Sequence, residues 1–189
     1  MSTNHLVATE DEEYAQFRIA YQLLADALPE LGLSAAAVEE IAYEKVFDTD
    51  YQVFYSDVKP ALEALKTRCK LGLISDTYPS AARILKRAGI YDLFDSITFS
   101  CFLGVFKPNR KMYEHAIRQI GLPPSEAFFV DDFPANLDGA PEAGITPVMI
   151  ARSNNPAAKQ RVCELSQAGN PGRYKIISGL GELEALIEN

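Results

Sequence analysis

Cysteine, histidine and long apolar runs are all scarce in this chain of 189 residues, and each scarcity removes a class of function. Cys69, Cys101 and Cys163 are odd in number, widely spaced and in no Cys-x-x-Cys pair. Neither a disulfide framework nor a thiolate zinc site is therefore indicated. The two histidines, His5 and His115, lie too far apart to suggest a zinc centre. No stretch approaches the ~20 consecutive apolar residues that a membrane span needs. The opening MSTNHLVATEDEEY has no basic segment leading into an apolar one, so it does not read as a secretory signal and the expected location is cytoplasmic. Basic residues are also in the minority, 18 Lys and Arg against 26 Asp and Glu, for a net charge of −8. That balance repels a phosphate backbone and an anionic membrane alike, so neither nucleic acid nor membrane is an expected partner. A small anionic substrate stays compatible, because a local cluster or a bound cation overrides the global field.

A hydrophobic content of 48% over this length supports one good-sized domain, or a core with a small accessory domain. Tyr14, Phe17, Tyr21, Leu24 and Leu28 recur at helical spacing behind an acidic first turn. Ser34 is placed to cap a second helix whose Val38, Ile41, Ala42 and Val46 share a face. Residues 48–57 are aromatic and polar without a period, so residues 10–57 read as a small helical unit without a strand.

The pattern then changes. Pro60 opens a helix carrying Leu62 and Leu65, and the apolar run 71–74 ends in Ser75-Asp76-Thr77. A helix over 79–88 is stopped by Gly89, with Arg83, Lys86 and Arg87 forming a solvated basic face. A strand at 96–99 follows, then a helix over 110–120 with Tyr113, Ala116, Ile117 and Ile120 inward and His115 on its surface. A strand at 127–130 runs into Asp131-Asp132, and the helical stretch after it is kinked or shortened by Pro141. Strands at 146–150 and 174–177, a helix after Pro156, a turn over 169–172 and a last helix complete the chain. Short apolar strands alternating with amphipathic helices specify an α/β fold, a parallel sheet covered by helices on both faces.

In open α/β sheets, ligands bind beyond the carboxyl ends of the strands. Ser75-Asp76-Thr77, Lys107-Pro108 and Asp131-Asp132 all fall at or after such ends. A Ser-Asp step is ordinarily a helix cap, and a lone Lys-Pro is ordinarily solvated. Adjacent aspartates are more telling, since like charges repel unless a cation or donor offsets them. A hydroxyl, a lysine and an acidic pair on one sheet edge suit a phosphorylated substrate with Mg²⁺. Hydroxyls and amides meet phosphoryl oxygens, lysine neutralises charge, and hard oxygens hold the ion.

The order LGLISDTYPSA, GVFKPNRKMYEHA, AFFVDDFPANLDGAPEAGI resembles the haloacid-dehalogenase superfamily, in the branch with a small helical cap inserted early in the chain. The resemblance implies a three-layer Rossmann-like parallel sheet over residues 58–189, a cap over 10–57, and a remnant of the first-motif loop in 1–9. It implies that Ser75 hydrogen-bonds the transferring phosphoryl group, with Asp76 and Thr77 beside it on the substrate, and that Lys107 steadies nucleophile and phosphoryl charge. Asp131 and Asp132 would bind Mg²⁺, and Asn136 would support the metal shell. The resembled family's first motif is an apolar strand ending in Asp-x-Asp, continued by a segment like Leu-Val-Asp-Thr-Glu. Here Leu6-Val7-Ala8-Thr9-Glu10 aligns with that continuation, which sets Met1 at the nucleophile and Thr3 at the general acid/base. Residues 1–10 contain no Asp-x-Asp, so the central first strand and the attacking carboxylate are expected to be missing.

The expected function is thus a Mg²⁺-dependent phosphatase type acting on a small phosphorylated metabolite, inactive in this form for want of its nucleophile. A non-catalytic phosphate- and metal-binding relative is the second expectation. A haloacid dehalogenase is the third, disfavoured because metal-free chemistry has little use for Asp131 beside Asp132. A purely structural oligomerisation domain explains neither Lys107 nor the acidic pair. The exposed edge left by a missing strand raises the expectation of a homodimer.

Overall fold

The computed structural model describes residues 6–48, 52–167 and 172–187. Helix α1 (Glu10–Ala27) starts where the Thr9 hydroxyl accepts from Glu12 N–H, while the Glu12 carboxylate accepts from Ala8 N–H at 2.7 Å. This reciprocal cap satisfies donors that the first turn would leave orphaned. Helix α2 (Ala35–Phe47) is capped by Ser34 and buries Val38, Ala42 and Val46. The two helices lie against each other through Tyr14, which meets the rings of Tyr43 and Phe47 and donates to Glu39.

The apolar stripe of α1 is less buried than its spacing predicts. Leu24 and Leu28 stay exposed, and the buried member of the helix is Glu13, at 2% exposure. Its two carboxylate oxygens accept from Ser80 N–H at 2.9 Å and Ser80 Oγ–H at 2.7 Å. Donors supplied by a neighbouring element, and not hydrophobicity, decide which residue turns inward here. Arg83 likewise departs from its expected solvated state. Its guanidinium donates to Glu10 Oε1 (3.1 Å), to Phe47 O (2.7 Å) and to Val46 O. The last carbonyls of α2 lack intrahelical donors, and Arg83 provides them.

The remainder alternates strand and helix: α3 (Val58–Lys66), β1 (Gly72–Ser75), α4 (Ala81–Arg87), β2 (Ser96–Phe99), α5 (Ser100–Leu103), α6 (Arg110–Ile120), β3 (Phe128–Asp131), α7 (Pro134–Gly139), β4 (Thr146–Ile150), α8 (Pro156–Gln167), β5 (Lys175–Ile177) and α9 (Glu184–Ile187). Pro141 sits outside α7 and opens a separate 3₁₀ turn, Pro141–Ala143, because a proline ring cannot continue the helix. The single turn α5 has no apolar period and was not legible in the sequence. No helix among the described residues is long and apolar enough to cross a membrane.

All strand pairs are parallel, and among the described residues they form two sheets. β1 pairs with β2 in the register Gly72↔Ser96 to Ser75↔Phe99, while β4 pairs with both β3 and β5. A cleft of about 730 Å³ lies between them, with Gly72, Leu73 and Ile74 on one wall and Phe128, Phe129 and Val130 on the other. The cleft also accounts for α6. Met112, Tyr113 and Ala116 are buried, whereas Ile117 and Ile120, expected inward, are half-buried because they face this opening. His115, expected on the surface, is half-buried with Nδ1 3.0 Å from Oγ1 of the buried Thr98. Helix α6 lies along β1 and β2, so its histidine side reaches the sheet.

Burial raises the Glu13 carboxyl above the usual glutamate range, only partly offset by the Ser80 donors. A raised native value means that the folded state holds the proton more tightly. Glu13 thus favours folding most fully below the unfolded value of about 4.3, and this contribution is lost as pH rises through the native value. Urea midpoints measured across that window should fall with pH for the protein relative to Glu13→Gln, which removes the titration; parallel curves would refute the assignment.

Candidate functional site

The carboxyl ends of β1 and β3 meet at Lys107. Ser75 closes β1, and Asp76 follows it with Oδ1 accepting from Lys107 N–H at 2.9 Å. Thr77 is tied to the start of α5. Its N–H donates to Ser100 Oγ at 2.9 Å, and its carbonyl accepts from Ser100 Oγ–H at 3.2 Å and Cys101 N–H at 3.3 Å. One hydroxyl thus accepts and donates on the same neighbour, which fixes the turn after β1. From α5 the chain reverses at Gly104, whose φ of 67° is left-handed, and runs to Lys107 and the cis peptide before Pro108.

The Lys107 ammonium reaches across to β3. Its Nζ lies 2.8 Å from Asp131 Oδ2 and 5.7 Å from the Phe129 ring centroid. Both side chains of this ion pair are only 10% exposed, a setting in which charge attraction is far stronger than at the surface. Asp131 is held further: Oδ1 accepts from Phe133 N–H at 2.8 Å, and Asn136 Nδ2 lies 3.2 and 3.1 Å from the two oxygens. Asn136 is in turn fixed by its carbonyl, which accepts from the buried Tyr113 hydroxyl at 2.6 Å. Burial pushes the Tyr113 phenol far up, and the charges of Asp131, Asp76 and Asp138 add to this. Tyr113 consequently serves as a neutral donor at any ordinary pH.

The structure brings together Asp76, Lys107, Asp131 and Asn136, with Ser75 at the end of β1 and Thr77 on the turn that follows. Asp132 has a different partner. Its Oδ2 and carbonyl accept from Arg161 on α8, at 2.9 and 3.0 Å, and it is 46% exposed. Arg161 also lies 5.0 Å from the Phe133 ring. Arg161, Ser100 and Tyr113 carried no motif in the sequence. Each acts through a partner more than 20 residues away, which neither spacing nor composition encodes. The positions matched to the nucleophile and the acid/base, Met1 and Thr3, lie outside the described residues.

Asp131 and Asp132 offer the hard carboxylate oxygens that suit Mg²⁺, which is commonly held by one or two carboxylates with waters and substrate phosphate. The donor chemistry fits, although Lys107 and Arg161 already counter these charges. Among the described residues no group of three or more His, Cys, Asp and Glu is assembled to hold a metal by itself.

Comparison with known proteins places these features in context. A profile of the haloacid dehalogenase-like hydrolases matches residues 4–144. A phosphatase of Mycobacterium tuberculosis is 28% identical over 151 residues, covering 77% of this chain and 67% of that protein. A glyceraldehyde 3-phosphate phosphatase of Methanopyrus kandleri is 37% identical over 129 residues, covering 66% and 53% respectively. The chain therefore spans about two thirds and about half of these relatives. Among solved structures, a 2-haloacid dehalogenase from Pseudomonas syringae superposes with a TM-score of 0.64 at 20% identity, covering 99% of this chain and 74% of that one. This last likeness is one of fold.

Two substitutions test the site's construction. Lys107→Met strands a nearly buried carboxylate and should cost roughly 3 kcal/mol in urea unfolding. The double variant Lys107→Met/Asp131→Leu should recover part of that loss, and strict additivity would deny the coupling. Gly139→Ala builds a Cβ 2.6 Å from Pro108 O and 2.8 Å from Pro108 Cβ. Displacing the segment behind Lys107 should lower stability by about 1–3 kcal/mol; an unchanged thermal midpoint would contradict the contact.

Proposed function

The chain belongs to the haloacid dehalogenase-like hydrolases, and from that premise we propose that it handles the phosphoryl group of a small phosphorylated metabolite in the manner of the family's phosphatases. The observation that carries the reading is the Lys107–Asp131 pair, 2.8 Å long and 10% exposed, at the end where β1 and β3 deliver Ser75 and Asp131. Ser75 Oγ–H and the turn amides would donate to phosphoryl oxygens, and the Lys107 ammonium would neutralise their charge. Asp76 takes part through the loop it holds, since its own negative charge orients the Lys107 backbone. Asp131 and Asp132 would hold Mg²⁺, with Asn136 steadying Asp131. When bound, the ion would supply further neutralisation of phosphoryl charge. Residues 10–57 would act as the cap that excludes water, over a core of residues 58–189.

Residues 1–10 contain no Asp-x-Asp pair, so these 189 residues by themselves are proposed to bind and polarise a phosphoryl group through Ser75 and Lys107 without turning it over. The cytoplasm is the proposed setting, in keeping with Cys69, Cys101 and Cys163 forming no disulfide. An (S)-2-haloacid dehalogenase of Pseudomonas, 32% identical over 103 residues, favours a second reading, but the adjacent Asp131 and Asp132 give metal-free dehalogenation little advantage.

Calorimetric titration with inorganic phosphate, with and without Mg²⁺, tests this reading, alongside an assay on an aryl phosphate. Expected are Mg²⁺-dependent phosphate binding, no turnover, and loss of the Mg²⁺ effect in Asp132→Ala, whose exposed position spares the fold. Absence of binding by folded protein would overturn the proposal. Mg²⁺-dependent turnover lost in the variant would overturn the claim of inactivity, and metal-free dechlorination of 2-chloropropionate would promote the dehalogenase reading.

A further inference from the structure

The two adjacent carboxylates at the end of β3 are neutralised in different ways. Asp131 is saturated: Oδ1 accepts from Phe133 N–H and Asn136 Nδ2, and Oδ2 accepts from Lys107 Nζ and Asn136 Nδ2. Both lone pairs of each oxygen are thereby in use, and a further partner would have to displace one of these donors. Asp132 is freer. Its Oδ2 accepts from Arg161 Nη1 at 2.9 Å, and among the described residues nothing donates to its Oδ1.

Arg161 comes from α8, which is seated on the core by the fully buried Ala158 and by Val162 against the Met112 and Tyr113 cluster. The nitrogen that meets Asp132 Oδ2 also donates to the Asp132 carbonyl at 3.0 Å, and the guanidinium lies 5.0 Å from the Phe133 ring. The cation is thus laid on the carboxylate, the main chain and the neighbouring ring at once. The pair is nevertheless only partly shielded, with the two side chains 27% and 46% exposed, so water competes for both partners and the bond is exchangeable.

A guanidinium and a divalent cation sharing one carboxylate would lie within the ~4–6 Å over which like charges repel strongly. Nothing nearby offsets that repulsion, since among the described residues no group of three or more His, Cys, Asp and Glu is assembled. The two occupants of Asp132 therefore exclude each other. We propose that Arg161 is an internal counter-ion at the metal position: it holds Asp132 while no divalent cation is bound, and gives Asp132 up when one binds. The inference rests on the reading of Asp132 as a Mg²⁺ ligand and adds the residue that sets the affinity of that position. It also gives the site a reach beyond β3. Surrender of Asp132 removes a tether of α8, a helix whose Arg161 lies 29 residues further along the chain.

The test titrates Mg²⁺ alone, by calorimetry, into the full 189-residue chain, into Arg161→Gln and Arg161→Lys, and into Asp132→Asn as the control for the position. Far-ultraviolet spectra confirm that each is folded. Arg161→Gln keeps a donor for the Asp132 carbonyl but carries no charge. It should bind Mg²⁺ about three- to tenfold more tightly, since an ion pair of this exposure is worth up to about fivefold in an equilibrium constant and a repelling charge is removed with it. Arg161→Lys keeps the charge without the planar fork and should fall between the two. Amide hydrogen exchange at residues 158–164 should quicken on saturation with Mg²⁺ in the unsubstituted chain and stay unchanged in Arg161→Gln, a response that a merely structural arginine would not give. Equal or weaker Mg²⁺ binding by Arg161→Gln, with the heat abolished in Asp132→Asn, would overturn this inference and leave the metal reading standing. So would an α8 whose exchange ignores Mg²⁺. Heat that survives in Asp132→Asn would put the ion elsewhere and overturn the inference, and no Mg²⁺ binding by any folded chain would overturn the metal reading together with it.

Discussion

The bond between Lys107 Nζ and Asp131 Oδ2, reinforced by Asp76 accepting from the Lys107 backbone, is the interaction on which the rest of the site depends. β1 and β3 belong to different sheets and do not pair, yet their ends are brought to one place by a single residue that holds one with its backbone and the other with its side chain. Because the pair is only 10% exposed, separating it costs far more than breaking a surface ion pair. The shell behind it is built to keep that geometry. Asn136 and the Phe133 amide hold the carboxylate, Tyr113 holds Asn136, and Gly139 leaves room for Pro108.

The helical pair is joined to the core by a different kind of contact. Glu13 is buried against Ser80, and Arg83 grips the carbonyls that end α2 as well as Glu10 on α1. Both partners lie at or within α4, which follows β1 and the Ser75-Asp76-Thr77 turn. The position of the helices is thereby referred to the same strand that carries the proposed phosphoryl-binding hydroxyl. The helical pair is anchored by polar groups satisfied across the junction, while much of the apolar stripe of α1 faces outward.

How far the sequence could be read depends on the range of each interaction. The strands at 96–99 and 146–150 and the helix at 110–120 were legible to the residue, since period, caps and a terminal glycine are local signals. Lys107 and Asp131 were legible as neighbours, because polar residues that follow apolar strands lie at one sheet edge, whereas the pairing of Asp132 with Arg161 was not. Arg83 and His115 look like surface residues in the sequence but are not fully solvated in the fold, for the same underlying reason. A charged or imidazole side chain looks solvated in sequence until a partner from another element supplies its hydrogen bond, as Val46, Phe47 and Thr98 do here. Asp131 beside Asp132 was read as a repelling pair awaiting a cation, whereas in the fold each has a basic partner of its own.

By itself the sequence determined the parallel α/β class, the order of its longer elements, the two helices that precede the first strand, and Lys107 and Asp131 as residues gathered at the strand ends. All of these follow from hydrophobic period, turn chemistry and topology, which act along the chain. Only the tertiary structure decided that Asp76 would orient Lys107, that Arg161 would claim Asp132, that Glu13 would be the buried member of α1, and that β1 and β3 would face each other across an apolar cleft. Those outcomes depend on which donors and acceptors meet after elements distant in sequence have packed. In a low-dielectric interior the cost of an unmet polar group outweighs any local preference of the residue that carries it.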